Sequence, residues 1–182
     1  MRNTQSKSCS NLLVGLLTVA AAVAVMNVAF AGLKDVPPNN VDLTGLWNIN
    51  PQLSDDPQRL LDRKHGRAMQ AALEQLVAQE QLDIRQDIHS LTFANIEQTN
   101  TCKIGQAAQV PTPDGNLADR QCGWKRKKFV VEMKSPNGLT RTDQYELAKG
   151  DNQLIVVTEL AGSRLPLSGV KIRRTYDRVV PR

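Results

Sequence analysis

The chain has 182 residues, of which 41% are hydrophobic and 4% aromatic, and a formal net charge of +5 at pH 7. This length suits a single domain, since roughly 100–200 residues per domain is usual. The charge is too small to indicate nucleic-acid binding, and it falls to +3 when the N-terminal segment with Arg2 and Lys7 is set aside.

Residues 1–31 have the pattern of a secretory signal peptide. They contain two basic residues, no acidic residue, and an apolar run from residue 12 that ends in Ala29, Phe30 and Ala31. We predict cleavage before Gly32, which leaves an exported protein, periplasmic or secreted, with no stable transmembrane span. The apolar run of about 20 residues could also cross a bilayer, so an uncleaved N-terminal anchor is the alternative.

The segment 32–40 is polar and contains prolines, which predicts a flexible N-terminal arm. Residues 41–182 are expected to form one domain. Its first strand is predicted at 41–50, where large apolar residues alternate around Gly45 and Trp47. A helix is predicted from residue 57 to about residue 80, because acidic Asp55 and Asp56 can cap it and Pro57 suits its first position.

The rest of the chain, from residue 82 to residue 179, consists of short alternating stretches between turn residues, which is typical of antiparallel strands. Asn137-Gly138 is the clearest turn, because hairpin turns need positive φ angles. The predicted fold class is therefore mainly β: an up-and-down meander of eight or nine strands that closes into a barrel, with one covering helix after the first strand.

Gly45-Leu46-Trp47 resembles the Gly-x-Trp motif in the first strand of the lipocalin-like (calycin) proteins. The last strand resembles theirs too, and the resemblance implies that a basic residue there, Arg173 or Arg174, packs over Trp47 and closes the barrel base. A tryptophan-lined ligand site is the alternative. The chain is also similar to small exported bacterial proteins through its segments 84–87, 123–132 and 174–178.

Two cysteines, Cys102 and Cys122, lie in the predicted exported domain. An oxidising compartment permits disulfides, so we predict a bridge between them, with paired reactive thiols as the alternative. No histidine lies near them in sequence, and a metal site is not expected. No cofactor is expected either.

The run Lys125-Arg126-Lys127-Lys128 is the densest cluster of charge. We predict a solvated hairpin tip, with contact to an anionic surface such as phosphate, lipid or an acidic polymer as the functional alternative. Trp124 and Phe129 flank the run, but no aromatic residue lies between its four basic residues, so no nucleic-acid partner is expected.

No catalytic set is recognisable in the sequence. His65 and His89 do not form a zinc motif, and no serine lies in a Gly-x-Ser-x-Gly elbow. We therefore expect a protein that is not an enzyme.

Two functions remain open. In the first, a lipocalin-like barrel binds a small apolar or amphipathic molecule between inward side chains. These side chains are expected to be Leu91, Phe93, Val131, Met133, Ile155 and Val157. In the second, the barrel is filled, and an envelope interaction module acts through its basic hairpin, disulfide loop or helix. A solvent-reachable apolar cavity would distinguish the two.

Overall fold

The computed structural model describes residues 32–56, 76, 79–95, 99–112, 115–148, 150–162 and 169–180. The predicted signal peptide lies outside the described residues. The predicted helix from residue 57 to about residue 80 also lies outside them, apart from positions 76, 79 and 80, and none of the described residues is helical.

Ten strands form a single antiparallel sheet. They are β1 (Gly45–Ile49), β2 (Gln81–Gln86), β3 (Ser90–Ala94), β4 (Thr99–Lys103), β5 (Ala108–Pro111), β6 (Leu117–Lys125), β7 (Lys128–Lys134), β8 (Thr140–Leu147), β9 (Gln153–Ala161) and β10 (Val170–Arg178). The strand order is up-and-down, with β1 paired to both β2 and β10 and with β4 and β5 at the two edges. The sheet curls into a half-barrel, so that Phe93 of β3 meets Tyr145 of β8 across its concave face.

The strand count is ten rather than the eight or nine predicted. The two strands that the sequence did not reveal are β4 and β5, which contain mostly exposed residues. Without an alternation of apolar and polar residues, the sequence carries no period-two signal at these positions.

The two faces of the sheet follow from the alternation of burial along each strand. In β9, Leu154, Val156 and Thr158 are buried, whereas the residues between them are only half-buried. The strand register places Val156 opposite Tyr145 of β8 and Arg174 of β10, so these side chains share the concave face. The main hydrophobic core lies on this face and includes Trp47, Ile84, Leu91, Cys102, Cys122, Trp124, Phe129, Val131 and Tyr176.

Trp47 closes one end of the half-barrel, which we call the Trp47 end. Its side chain is fully buried, and its indole N–H donates to the carbonyl oxygen of Leu43 at 3.1 Å. The guanidinium carbon of Arg178 lies 4.1 Å from the centroid of the Trp47 ring, at cation–π distance. The same guanidinium donates to the carbonyl oxygen of Thr44 at 2.7 Å, which ties the last strand to the chain before the first.

The basic partner of Trp47 is therefore Arg178, and the prediction of Arg173 or Arg174 was wrong. The antiparallel register pairs Trp47 directly with Arg178, and directly opposed residues are the ones that touch in a sheet. Arg174 lies four residues further along β10, and Arg173 projects from the other face, where its side chain reaches the carbonyl oxygen of Leu53.

Gly45, predicted as a structural residue, lies beside this pair. Its φ is +154°, and a Cβ atom there would lie 2.7 Å from a guanidinium nitrogen of Arg178. A side chain at this position would therefore displace Arg178 from the Trp47 ring. The glycine of the Gly-x-Trp motif leaves space for the arginine.

The N-terminal arm, expected to be flexible, is docked on the sheet around Lys34. The backbone N–H of Lys34 donates to the carbonyl oxygen of Trp124 at 2.8 Å, and its carbonyl oxygen accepts the Trp124 N–H at 2.9 Å. A Cβ atom at Gly123 would lie 2.8 Å from Cβ of Leu33, so glycine permits the close approach of the arm. The arm thus extends the sheet along β6 beyond the last residue paired with β5.

Cys102 of β4 and Cys122 of β6 form a disulfide, with their Cα atoms 6.1 Å apart, and the predicted pairing is confirmed. Two hydrogen bonds accompany it. The N–H of Gly105 donates to the carbonyl oxygen of Cys122 at 3.0 Å, and Nη2 of Arg120 donates to the carbonyl oxygen of Thr101 at 2.7 Å. These contacts, which we call the seam, join the β4 side of the sheet to the β6 side.

Candidate ligand-binding site

Four aromatic side chains cross the concave face and form what we call the aromatic layer. The ring of Phe93 lies 4.8 Å from that of Tyr145 and 6.1 Å from that of Phe129, centroid to centroid. Trp124 packs edge-on against Phe129 at 5.3 Å. Trp124 and Phe129 are almost completely buried, and they belong to the same core as Trp47. The aromatic layer therefore fills the concave face near the Trp47 end.

A buried ion pair lies on the same face, further from the Trp47 end. Nε of Arg141 donates to one oxygen of Asp143 at 2.8 Å, and the hydroxyl of Thr158 donates to the other at 2.6 Å. Asp143 is only 4% exposed. Burial lowers the pKa of Arg141, but the charge of Asp143, the interaction with Tyr145 and the hydrogen bond to Asp143 together outweigh burial and raise it. Both oxygens of the carboxylate are thus occupied within the protein.

Arg174 is a second buried cation on the concave face. It is 5% exposed, and its Nη2 donates to the carbonyl oxygen of Leu76. Its Nε is buried without a hydrogen-bond partner in the part of the chain that the structure describes. Burial lowers the pKa of Arg174, although an arginine side chain keeps its proton in proteins.

The charges of Asp143 and Arg141 both act on Arg174. A buried charge that is not compensated is costly, and an anion that binds to it removes the cost. Nε of Arg174 is the donor that remains available for such an anion.

Several concave-face side chains are enclosed and yet keep accessible surface. Phe93, Met133, Tyr145 and Leu147 pack against the core but are only partly buried. Burial raises the pKa of the Tyr145 hydroxyl. These partly buried side chains leave apolar surface on the concave face that a ligand could contact.

We expect both tyrosines to remain neutral well above pH 10 in the folded protein. Burial raises the pKa of Tyr145 and of Tyr176, and these are the only two tyrosines of the chain. The unfolded chain loses their protons near pH 10, so above this pH the stability falls by up to about 1.4 kcal/mol per pH unit for each tyrosine.

Ultraviolet absorbance of tyrosinate, measured in native and in denaturing solution, checks this prediction. Tyr145→Phe should remove part of the alkaline loss of stability and leave the stability at pH 7 nearly unchanged. Ionisation near pH 10 under native conditions would contradict it.

Of the six side chains that are expected to point inwards, four lie on the concave face and two lie on the other face. Leu91, Phe93, Val131 and Met133 lie on the concave face. Ile155 and Val157 do not, because they are half-buried on the other face of β9, where Val157 pairs with Gln144 and Arg173. The inward orientation predicted for these two residues is corrected. Residues 154–157 are all apolar, so the sequence there does not show which alternate set faces the core.

Sequence reasoning did not find the polar part of this site. Arg141, Asp143, Tyr145 and Leu147 alternate along β8, and this spacing of two places them on one face. The spacing would have shown that Arg141 and Asp143 share a face with an aromatic residue.

The basic run lies at the tip of the β6–β7 hairpin, as the sequence predicts. Lys125 ends β6 and Lys128 begins β7, and they pair across the turn. Lys128 forms an ion pair with Glu146 at 3.0 Å, whereas Lys125, Arg126 and Lys127 are exposed.

Among the described residues, no group of three or more histidine, cysteine, aspartate or glutamate side chains could hold a metal ion. Nor do these residues include a helix with the length and apolar character needed to cross a membrane.

The ten-stranded up-and-down sheet, curled around an apolar concave face, is a lipocalin-like calycin fold. No protein-family model matches the sequence, and no curated protein matches it. One solved structure with a similar fold is the "REP1-NXSQ fatty acid transporter", with a TM-score of 0.52 and 18% identity over 78% of this chain and 98% of that chain. Another is apo lipid binding protein 8 of Caenorhabditis elegans, with a TM-score of 0.52 and 17% identity over 77% and 99% of the two chains.

Proposed function

We propose that this protein binds a small amphipathic molecule with an anionic head on the concave face of its half-barrel, without catalysing a reaction. The observation that carries the proposal is the buried guanidinium of Arg174, whose Nε lacks a partner among the described residues. A carboxylate or another anionic head that accepts from this nitrogen would satisfy the buried donor with a charge-assisted hydrogen bond.

The surroundings of Arg174 suit the rest of such a ligand. Tyr145 of β8 and Arg174 lie on either side of Val156 in the same cross-strand row, and the partly buried Phe93 and Met133 offer apolar surface on the same face. An apolar wall with a few polar groups is the usual composition of a small-molecule site. The neighbours in fold include a fatty acid transporter and a lipid binding protein, which is consistent with a ligand of this kind.

The test is a titration of the protein with a fatty acid and with the fatty alcohol of the same chain length, in competition with a fluorescent apolar probe. Arg174→Met should weaken fatty acid binding roughly 10- to 100-fold, because a charge-assisted hydrogen bond contributes about 1.5–3 kcal/mol. Binding of the alcohol should change little.

Arg173→Met is the matched control, because Arg173 is the neighbouring arginine on the opposite, exposed face. Circular dichroism is used to check that both variants are folded. If neither ligand binds saturably, or if the control loses as much affinity as Arg174→Met, the proposed function is wrong.

A second candidate is an interaction module in a cell envelope, which acts through its outer surface. The aromatic layer favours it, since the Phe93, Phe129 and Tyr145 rings already fill part of the concave face. The same titration distinguishes the two functions, because a filled interior binds neither the fatty acid nor the alcohol.

The proposal includes export to the periplasm or the medium with removal of residues 1–31. The apolar N-terminal segment and the Cys102–Cys122 disulfide support it. Mass spectrometry of the protein recovered from those fractions is expected to place its N-terminus at Gly32. Recovery of the intact chain from membranes would show that the segment is retained as an anchor.

A further inference from the structure

The Trp47 end of the half-barrel presents exposed apolar side chains on several separate segments. Val36 of the arm is 69% exposed, Ile88 of the β2–β3 turn 64%, and Val180 after β10 74%. In an up-and-down sheet successive hairpins alternate between the two ends. The β2–β3 turn, the β6–β7 turn, the start of β1 and the end of β10 therefore all lie at this end.

The basic hairpin tip lies at the same end. Lys125, Arg126 and Lys127 are exposed and, within the described part of the chain, form no ion pair. Arg126 has a φ of 57°, a conformation in which glycine or asparagine is far more usual than arginine. The turn therefore has a cationic residue at its tip, at a position where glycine would have less backbone strain.

Backbone contacts connect the tip to the exposed apolar residues. Trp124, which precedes the tip, is bridged to Lys34, two residues before Val36. On the other side, the N–H of Gly105 donates to the carbonyl oxygen of Cys122 in β6 at 3.0 Å. The N–H of the adjacent Ile104 donates to the carbonyl oxygen of His89, which follows Ile88, at 2.8 Å. The tip, the arm and the β2–β3 turn therefore belong to one surface.

Two carboxylates of this surface already have partners. Asp87 accepts the backbone N–H of His89 at 2.7 Å, and Glu146 is paired with Lys128. Asp35 lies against Gly105, where a Cβ atom would be only 2.6 Å from its carboxylate. The cations of the tip have no such partner among the described residues, so they remain available to an external anionic surface.

We propose that the Trp47 end docks on the surface of an anionic phospholipid bilayer. Lys125, Arg126 and Lys127 would contact the lipid headgroups, and Val36 and Ile88 would enter the boundary with the acyl chains. A soluble polyanion would use the cations alone, whereas a bilayer also explains the exposed apolar side chains beside them. This surface is separate from Arg174, so the inference does not depend on the proposed ligand.

The experiment is co-sedimentation of the full protein, purified from cells, with two kinds of vesicle. One kind contains phosphatidylcholine alone, and the other contains phosphatidylcholine with 30% phosphatidylglycerol. We expect binding only to the anionic vesicles and a steep decrease as salt rises. Neutralising the tip, with Lys125→Gln, Arg126→Gln and Lys127→Gln together, should weaken binding on the order of 100-fold, because each cation near such a surface contributes roughly fivefold.

The matched control removes three charges from the exposed convex face, with Lys134→Gln, Lys171→Gln and Arg173→Gln, and should retain most of the binding. Ile88→Ser should weaken binding severalfold, whereas Leu117→Ser, at an exposed apolar residue of the opposite end, should not. Equal binding to both vesicle types, equal loss in the control triple variant, or tip-dependent binding to soluble polyaspartate without vesicle binding would each overturn the proposal.

Discussion

Replacing Trp47 with alanine is expected to lower the free energy of unfolding by about 3–5 kcal/mol, the usual effect of removing a large aromatic side chain from a core. The Trp47 side chain is fully buried and belongs to the main core. It also supplies the surface on which Arg178 lies and the N–H that the Leu43 carbonyl accepts. Its loss would remove apolar contacts, a cation–π contact and a hydrogen bond together.

Urea denaturation followed by circular dichroism measures this effect. Leu46→Ala is the control, because Leu46 is the adjacent residue on the other face and is 36% exposed, so a change within about 0.5 kcal/mol is expected. Trp47→Phe, which keeps part of the ring surface, provides a folded variant if the alanine variant does not fold.

Arg178→Met and Arg173→Met distinguish the observed partner of Trp47 from the one that the sequence indicated. Arg178→Met should cost about 1–2 kcal/mol, since it removes the cation–π contact and the bond to the Thr44 carbonyl. Arg173→Met should have little effect. An equal cost for the two arginines would contradict the assignment of Arg178 to the base of the half-barrel.

The sequence predicted those parts of the fold that depend on local periodicity. The Gly45-Leu46-Trp47 strand, the Asn137-Gly138 turn and the long β8–β10 meander follow from alternation and turn chemistry. The partner of Trp47 could not be predicted in this way. Arg173, Arg174 and Arg178 all lie in one strand, and only the register of β10 against β1 selects among them.

The candidate site shows the same limit of sequence reasoning. Phe93, Val131 and Met133 lie on the concave face, as predicted, and each has a polar neighbour, Thr92, Glu132 and Glu132 respectively, that marks the alternation along the strand. Ile155 and Val157 lie in a continuous apolar stretch, so their phase depends on the register with β8 and β10. The burial of the Arg174 guanidinium involves Leu76, whose carbonyl oxygen accepts a hydrogen bond from it. Leu76 is distant from Arg174 in sequence, so a local pattern could not show this contact.

Removing the disulfide, with Cys102→Ser and Cys122→Ser together, is expected to destabilise the protein by about 3 kcal/mol, which corresponds to a decrease in Tm of roughly 10 °C. The two cysteines are 20 positions apart, and in the chain-entropy model a closed loop of this size restricts the unfolded chain to that extent. Thermal denaturation with and without a reducing agent measures the effect. The agent should lower the Tm of the parent protein and leave that of the double variant unchanged.

Because of its position in the sheet, the disulfide should also affect local stability where β4 meets β6. β4 and β5 are the two edges of the sheet, so the seam depends on the disulfide, the Gly105 to Cys122 bond and the Arg120 to Thr101 bond. Without the disulfide, the Gly105 amide should exchange with deuterium faster than the amides of β9, which is paired on both sides. Uniform acceleration over the whole sheet would instead show that the bridge acts only by restricting the unfolded chain.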